Sequence, residues 1–394
     1  MPGSFIISCR EGAVNGVLIG CLRDYGRMRT SPMSSSTKSE RFVQPDDFRE
    51  SLLAWYDAHA RDLPWRRDKD PYRVWVSEIM LQQTRVAAVI EHYHEFLRRF
   101  PTIQKLAAAK EASVLAAWSG LGYYRRARML HAAAKVIARE RGGEFPKTSV
   151  EWRDLPGIGR YTAAAIASIS LGESVAVVDG NVERVLQRLY GAQFSGEGFW
   201  ENASNLLDRH RPGDFNQAMM ELGATVCTPK APSCLTCPVM RRCSTRGERQ
   251  FGEIGTRQTK REIDVALHRR DGQVFLVQRP ADARLMAGMW ELPQIGSNGL
   301  SNGPNSRFRG PNAPSLLFSV RHSITVTDYT VRVWERATPQ SGAGKWISSG
   351  RLSGMPLTGL TRKILRKAGV VTLASRKRGG TVRLSSGQAR GIPI

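Results

Sequence analysis

The sequence predicts two domains in series, a mainly α N-terminal domain and an α+β C-terminal domain. Three observations predict it. Apolar residues recur at helical spacing from residue 48 to about residue 242. A polar segment without period, residues 244–261, then interrupts the pattern and reads as a linker. Beyond it the period changes to two, with Ile263, Val265 and Leu267 alternating.

Residues 1–40 end in a Ser-rich stretch and are expected to be a disordered extension. In the helical part, 41–243, Phe48, Leu52, Trp55 and Tyr56 share one face. After Pro71, residues Ile79, Met80, Val86, Ala87, Ile90, Tyr93 and Leu97 continue the period. Further helices are expected over 114–118, 127–137, 162–169, 182–189 and 215–222. The second domain is expected over 262–371. There 274–279 is a nearly continuous apolar run, 326–334 alternates, and 357–368 reads as a helix. Residues 296–314 read as a long loop, and 372–394 as a basic tail.

Composition narrows the function classes. The 394 residues carry 58 Lys and Arg against 35 Asp and Glu, a net charge of +23. Such an excess points to an anionic partner, nucleic acid first and an anionic membrane surface second. A hydrophobic content of 41% excludes wholesale disorder. No apolar run approaches the ~20 residues needed to span a bilayer.

Cys9 and Cys21 stand apart, whereas Cys227, Cys234, Cys237 and Cys243 are spaced Cys-x6-Cys-x2-Cys-x5-Cys. A secreted disulfide framework would spread its cysteines, so this cluster reads as an intracellular metal or cluster site. Structural zinc sites usually carry two Cys-x2-Cys knuckles, and one is present here. The spacing therefore leans to an iron–sulfur cluster and leaves zinc open. Lys230, Arg241 and Arg242 lie between the ligands, where they can face phosphates.

Leu155-Pro-Gly157-Ile-Gly159-Arg-Tyr161 lies between two expected helices. Its glycines allow a tight turn whose N–H groups suit a phosphate, although an ordinary glycine-capped turn reads the same. Asp179, in Val-Asp-Gly-Asn181-Val, stands where a helix begins. It reads as an N-cap, or as an anion that can face a developing cation. Glu78 has apolar neighbours, with Gln82 and Arg85 expected on its helix face. This is a polar stripe, or a buried acid whose raised pKa makes it a proton donor. One raised and one lowered carboxylate is the pairing that glycosidic cleavage needs.

Together, residues 64–84, Gly-Leu-Gly-Tyr-Tyr-Arg-Arg-Ala-Arg at 120–128, the hairpin, Val-Asp-Gly-Asn-Val-Glu-Arg and the four cysteines resemble the adenine DNA glycosylases of the MutY family, over about residues 42–370. The resemblance implies a helix-hairpin-helix glycosylase domain, with its hairpin at about 150–170 and a [4Fe–4S] loop at 227–243, and a Nudix-like C-terminal domain. It implies a monofunctional hydrolase that removes adenine mispaired with 8-oxoguanine or guanine from double-stranded DNA and leaves an abasic site. Glu78 would protonate N7 of the flipped adenine. Asp179 would stabilise the sugar cation, with Asn181 and Tyr161 beside it. Trp65, Arg66 and Glu221 would surround the base. Gln83 and Tyr123 would wedge into the stack, although Trp65 and Tyr123 also suit core packing. Gly157 and Gly159 would meet phosphate.

Endonuclease III-like relatives carry Lys where this chain has Tyr161, and a Tyr forms no Schiff base. Val274-Phe-Leu-Val-Gln-Arg-Pro280 and Leu285-Met-Ala-Gly-Met-Trp-Glu-Leu-Pro293 carry the Nudix likeness. No Glu-rich magnesium helix follows Gly288, so this domain is expected to bind the 8-oxoguanine strand rather than hydrolyse. Ile324, Thr325 and Val326 stand where many members have Phe-Ser-His, and Ile324 and Thr325 are the expected reading residues. A cytoplasmic monomer held on the nucleoid through DNA, with no membrane partner, is expected. The rival readings are an endonuclease III-like pyrimidine glycosylase and lyase, a non-catalytic DNA-binding clamp, and a Nudix nucleotide hydrolase.

Overall fold

In the helical part, short polar side chains cap some of the helices, and small or apolar residues bury their faces. The computed structural model describes residues 45–246, 259–283, 285–295, 315–324, 327–335 and 344–371. The N-terminal extension, the 296–314 loop, the basic tail and Thr325 lie outside these residues, and of Ile324 only the backbone is described. The helices are α1 (Pro45–His59), α2 (Pro71–Leu81), α3 (Val86–Arg99), α4 (Ile103–Ala108), α5 (Glu111–Trp118), α6 (Arg125–Glu140), α7 (Ser149–Arg153), α8 (Arg160–Leu171), α9 (Gly180–Tyr190), α10 (Glu197–Leu206) and α11 (Pro212–Thr225). Asp70, with Pro71 at the first helical position, starts α2 by accepting from the Arg73 N–H. Thr102 and Thr148 cap α4 and α7 in the same way.

These helices bury two separate apolar clusters. The first joins α2 to α8, with Trp75, Phe96, Trp118, Trp152 and Ile166 at its centre. The second joins α1 to α9, α10 and α11 through Phe48, Leu52, Leu186 and Phe215. The chain therefore starts in the second cluster, builds the first, and returns. Helices α8 and α11 pack on each other and bridge the two.

One expected period is broken. The pattern from Ile79 to Leu97 continues in the sequence, yet α2 stops at Leu81 and α3 starts at Val86. Between them Gln83 takes φ 52°, a left-handed conformation that no helix continues through. Gln82 is thus the C-cap of α2, and Arg85 precedes α3 instead of sharing the face of Glu78. The short helices α4, α7 and α10 had no expected counterpart.

The C-terminal part is built from β1 (Thr259–Leu267), β2 (Arg269–Arg270), β3 (Gln273–Gln278), β4 (Trp290–Glu291), β5 (Ser315–Ile324), β6 (Thr327–Glu335), β7 (Gly344–Ser348) and helix α12 (Gly359–Lys367). One sheet has the order β1-β6-β5, with β1 parallel to β6 and β5 antiparallel to it. In the other, β3 pairs with β2, β4 and β7, all antiparallel. Val265, Leu267, Val274, Leu276, Val331 and Val333 fill the core against Ile364 and Leu365 of α12. β1 begins inside the segment read as a linker. Ser244 and Thr245, at that segment's other end, donate their N–H groups to Leu189 and Arg188 carbonyls of α9.

The sheets dock on the helices through a few specific groups. Met289 is fully buried within the first helical cluster. The hydroxyls of Ser119 and Tyr124 both donate to the Leu357 carbonyl, at 2.8 and 3.2 Å. Arg128 reaches from α6 to the Ala287 carbonyl.

Candidate active site and cysteine loop

A cleft of about 1850 Å³ opens between the two helical clusters and is closed on one side by the sheet domain. Glu78, on α2, and Asp179, at the start of α9, line this one cleft from opposite clusters. Small side chains along α8, Ala163 to Ala165 among them, let it approach α2 closely. That approach sets the Tyr161 hydroxyl 2.9 Å from Oε2 of Glu78, to which it donates.

The two carboxyls sit in different environments. Glu78 is 6% exposed. Burial pushes its pKa up to about 7; the Tyr161 hydrogen bond pulls it down, and the charge of Asp179 pushes it up further. Burial, and then Glu78 itself, hold the Tyr161 phenol well above its usual range, so it stays a donor. Asp179 instead caps α9. Its Oδ1 accepts from the Asn181 and Val182 N–H groups at 2.9 and 2.8 Å, and its Oδ2 from Nδ2 of Asn181 at 2.9 Å. Gly223 of α11 makes room for this turn, since a Cβ there would lie 2.7 Å from Cβ of Asn181.

The remaining expected residues of the helical part also line the cleft. Trp65 and Arg66 come from a short 3-10 turn, Pro64–Arg66. Trp65 is buried edge-on against Tyr93 at 5.5 Å, so it serves the core and the cleft wall together. Glu221 is 1% exposed and holds Arg61 in a two-pronged pair at 2.6 and 2.8 Å and Arg66 at 2.9 Å. Burial works to raise its pKa, and the two guanidiniums more than reverse that, leaving it lowered. Gln83 and Tyr123 are both exposed and both left-handed, at φ 52° and 47°. Gly157 turns the hairpin at φ 78°, where a Cβ would lie 2.4 Å from Cβ of Met129. Gly159 caps α8 and faces open space. From the sheet domain come His322 and Ser323, at the end of β5, and Arg279, paired with Glu291.

Residues 76–197 match the HhH-GPD superfamily of base excision DNA repair proteins, and residues 265–367 match the NUDIX domain. An adenine DNA glycosylase of Homo sapiens is 41% identical over 313 residues, covering 63% of this chain and 57% of that protein. An adenine DNA glycosylase of Schizosaccharomyces pombe is 32% identical over 338 residues, covering 68% of this chain and 73% of that protein. The chain belongs to the adenine DNA glycosylase family. It spans little more than half the length of the human relative. A solved structure of a thermostable thymine-DNA glycosylase is also similar, at 28% identity and a TM-score of 0.49 over 52% of this chain and 97% of that one.

In this member of the adenine DNA glycosylase family the four cysteines follow α11 as one loop. All four are free thiols and half-buried, and Cys227, Cys237 and Cys243 pack against the second helical cluster. Burial pushes the Cys237 thiol up to about 11. Burial raises Cys234 too, followed by the charges of Cys243 and Cys227, so the sulfurs lie within each other's field. The segment 227–243 carries no His, Asp or Glu, so the metal donors it offers are its four thiols. Among the described residues no three His, Cys, Asp or Glu groups close around a single metal ion.

Two arginines of α9 to which the sequence assigned no role organise this region. Arg188 is 4% exposed and donates to Sγ of Cys227 at 3.4 Å and to the Thr228 and Pro229 carbonyls at 2.7 and 2.8 Å. Arg184 joins the Cys227 and Gly223 carbonyls to Oδ1 of Asn181. The signal for Arg188 was present: it falls on the apolar stripe of α9 with Val185 and Leu189, where a charge needs partners. Arg242 pairs with Asp47 of α1, so of the three basic residues between the cysteines only Lys230 and Arg241 are exposed.

Proposed function

We propose that this chain hydrolyses the N-glycosidic bond of adenine mispaired with 8-oxoguanine or guanine in duplex DNA, and leaves an abasic site. The observation that carries the reading is the pair of unlike carboxyls in one cleft. Glu78, poised near 7, hands its proton to N7 of the extruded adenine, which converts the base into a leaving group. As the base departs with the bonding electrons, the Asp179 carboxylate faces the cationic sugar. Water then adds to the sugar carbon and loses a proton. Trp65, Arg66 and Glu221 shape the pocket, Asn181 orients Asp179, and Gly157 and Gly159 meet the phosphate backbone. Among the described residues no lysine lines the cleft, which supports a monofunctional enzyme over a lyase.

We infer that Cys227, Cys234, Cys237 and Cys243 hold a [4Fe–4S] cluster. Structural zinc sites usually carry two Cys-x2-Cys knuckles, and this loop has one. That single knuckle, with no His, Asp or Glu among residues 227–243, supports the cluster over zinc. When bound, the cluster folds the loop that presents Lys230 and Arg241. The sheet domain, in whose sequence no Glu-rich magnesium helix follows Gly288, reads the opposite strand with Ile324 and Thr325.

The test is a glycosylase assay on duplexes with adenine opposite 8-oxoguanine, guanine and thymine. Strand breaks at adenine opposite 8-oxoguanine and guanine that need alkali treatment are expected. Breaks without alkali, or none, would overturn the reading.

A further inference from the structure

Gln83 and Tyr123 hold a backbone conformation that side-chain-bearing residues rarely adopt. Gln83 lies in the break between α2 and α3, and Tyr123 just before α6. One side chain joins the two turns. Nη1 of Arg126, in the first turn of α6, donates to the Ile79 and Met80 carbonyls at 2.8 and 3.1 Å and to the Gln82 carbonyl. Its Nη2 donates to Oγ1 of Thr84 at 3.1 Å and to the Leu121 and Gly122 carbonyls at 3.2 and 3.3 Å. Each nitrogen has two protons for three acceptors, so the bonds are shared. The guanidinium also lies against the Trp118 and Tyr123 rings, at 5.6 and 5.3 Å from their centres.

The acceptors bracket Gln83 on both sides and run up to Tyr123. Three of them are the last carbonyls of α2 and its cap, where the helix dipole favours a cation. Burial lowers the Arg126 pKa to about 10, still well above physiological pH, so the charge is kept. A planar fork reaches all six acceptors; a lysine ammonium, with three donors at one point, cannot.

We propose that Arg126 is a positioning residue that locks Gln83 and Tyr123 together as a preformed pair of wedges, and so governs how fast adenine leaves the stack. This rests on the glycosylase reading above. It acts before chemistry, because the fork touches neither Glu78 nor Asp179. Loss of the fork lets both turns relax, and each extrusion must then rebuild them.

The experiment compares wild-type chain, Arg126→Lys, Arg126→Gln and Tyr123→Ala on two duplexes under single turnover. One holds adenine opposite 8-oxoguanine in full pairing. The other flanks the same pair with mismatches, so that the stack is already open. For Arg126→Lys the expected loss is about 30-fold on the paired duplex and under about 3-fold on the pre-melted one, with Tyr123→Ala showing the same contrast. Fluorescence of 2-aminopurine in place of the target adenine should rise more slowly by a similar factor. Both duplexes are read with one preparation, so a smaller folded fraction lowers both rates alike and leaves their ratio intact. Arg126→Gln gives a second folded variant. Equal losses on the two duplexes for both Arg126 variants would overturn the positioning role alone. A wild-type chain that releases no adenine from either would overturn the functional reading instead.

Discussion

The Tyr161 hydroxyl donates to Oε2 of Glu78 across 2.9 Å, with Glu78 buried and Tyr161 half-buried on adjoining helices. A donor favours the ionised carboxyl, and burial opposes it; burial prevails and the acid sits at about 7. A proton donor works below its pKa. The single-turnover excision rate should therefore be level in mild acid and fall about tenfold per pH unit above 7. Tyr161→Phe removes the donor, so the falling limb should move to higher pH. A pH–rate profile of the two proteins checks this, and a shift toward lower pH would refute the assignment.

Glu78→Gln should keep duplex affinity within about threefold and lose about 10²- to 10⁴-fold in excision rate. Turnover at the wild-type rate would remove Glu78 from its role.

The same substitution should stabilise the protein. The folded Glu78 binds its proton more tightly than the usual value of 4.5, so the folded state holds more protons across that window. Stability is then lost as pH rises from 4.5 toward 7, and the loss is complete above. Glu78→Gln escapes it, a gain on the order of 3 kcal/mol at pH 8 that fades by pH 5. Melting temperatures at the two pH values give the answer. A gain that does not grow with pH would contradict the buried-acid account.

What the sequence made legible was local. Asp179 announces its cap because the N–H groups it accepts lie two and three residues away. The hairpin glycines announce a turn for the same reason. The break at Gln83 was hidden, because the apolar residues on either side keep helical phase while the backbone reverses. The role of Arg126, though the residue sits in a motif the sequence shows, was hidden because its acceptors in α2 lie more than 40 residues upstream. The return of α1 to pack on α11 was equally hidden, since period shows that a face is buried and not against what. β5 escaped notice because Leu316-Leu317 breaks the period and His322 interrupts the alternation of Phe318, Val320 and Ile324.

The hairpin glycines should separate by role. Gly157→Ala meets a left-handed backbone and the Met129 side chain at once, and should lose about 2–4 kcal/mol of stability. Gly159→Ala has ordinary backbone and open space, and should change stability by less than about 0.5 kcal/mol. It should nonetheless weaken duplex binding severalfold by lifting phosphate off the α8 N-terminus. Chemical denaturation and binding titrations distinguish the two. A Gly159→Ala protein that binds like wild type would remove the hairpin from the DNA contact.

Arg188 offers the sharpest test of the cysteine loop. Its guanidinium ties Cys227, Thr228 and Pro229 to α9, and its own carbonyl accepts from Sγ of Cys243 and the Thr245 N–H. One buried residue thus holds both ends of the loop that carries the four thiols. Arg188→Met keeps the bulk and removes the guanidinium donors, leaving the part-buried Thr228 and Pro229 carbonyls without this partner. Iron per purified chain should fall below about half the wild-type content, because outer partners of this kind fix the ligands. The exposed Arg241, replaced by Met, should retain full iron and instead bind duplex DNA with a shallower salt dependence. Full iron in Arg188→Met would show that the cysteines assemble without this anchor.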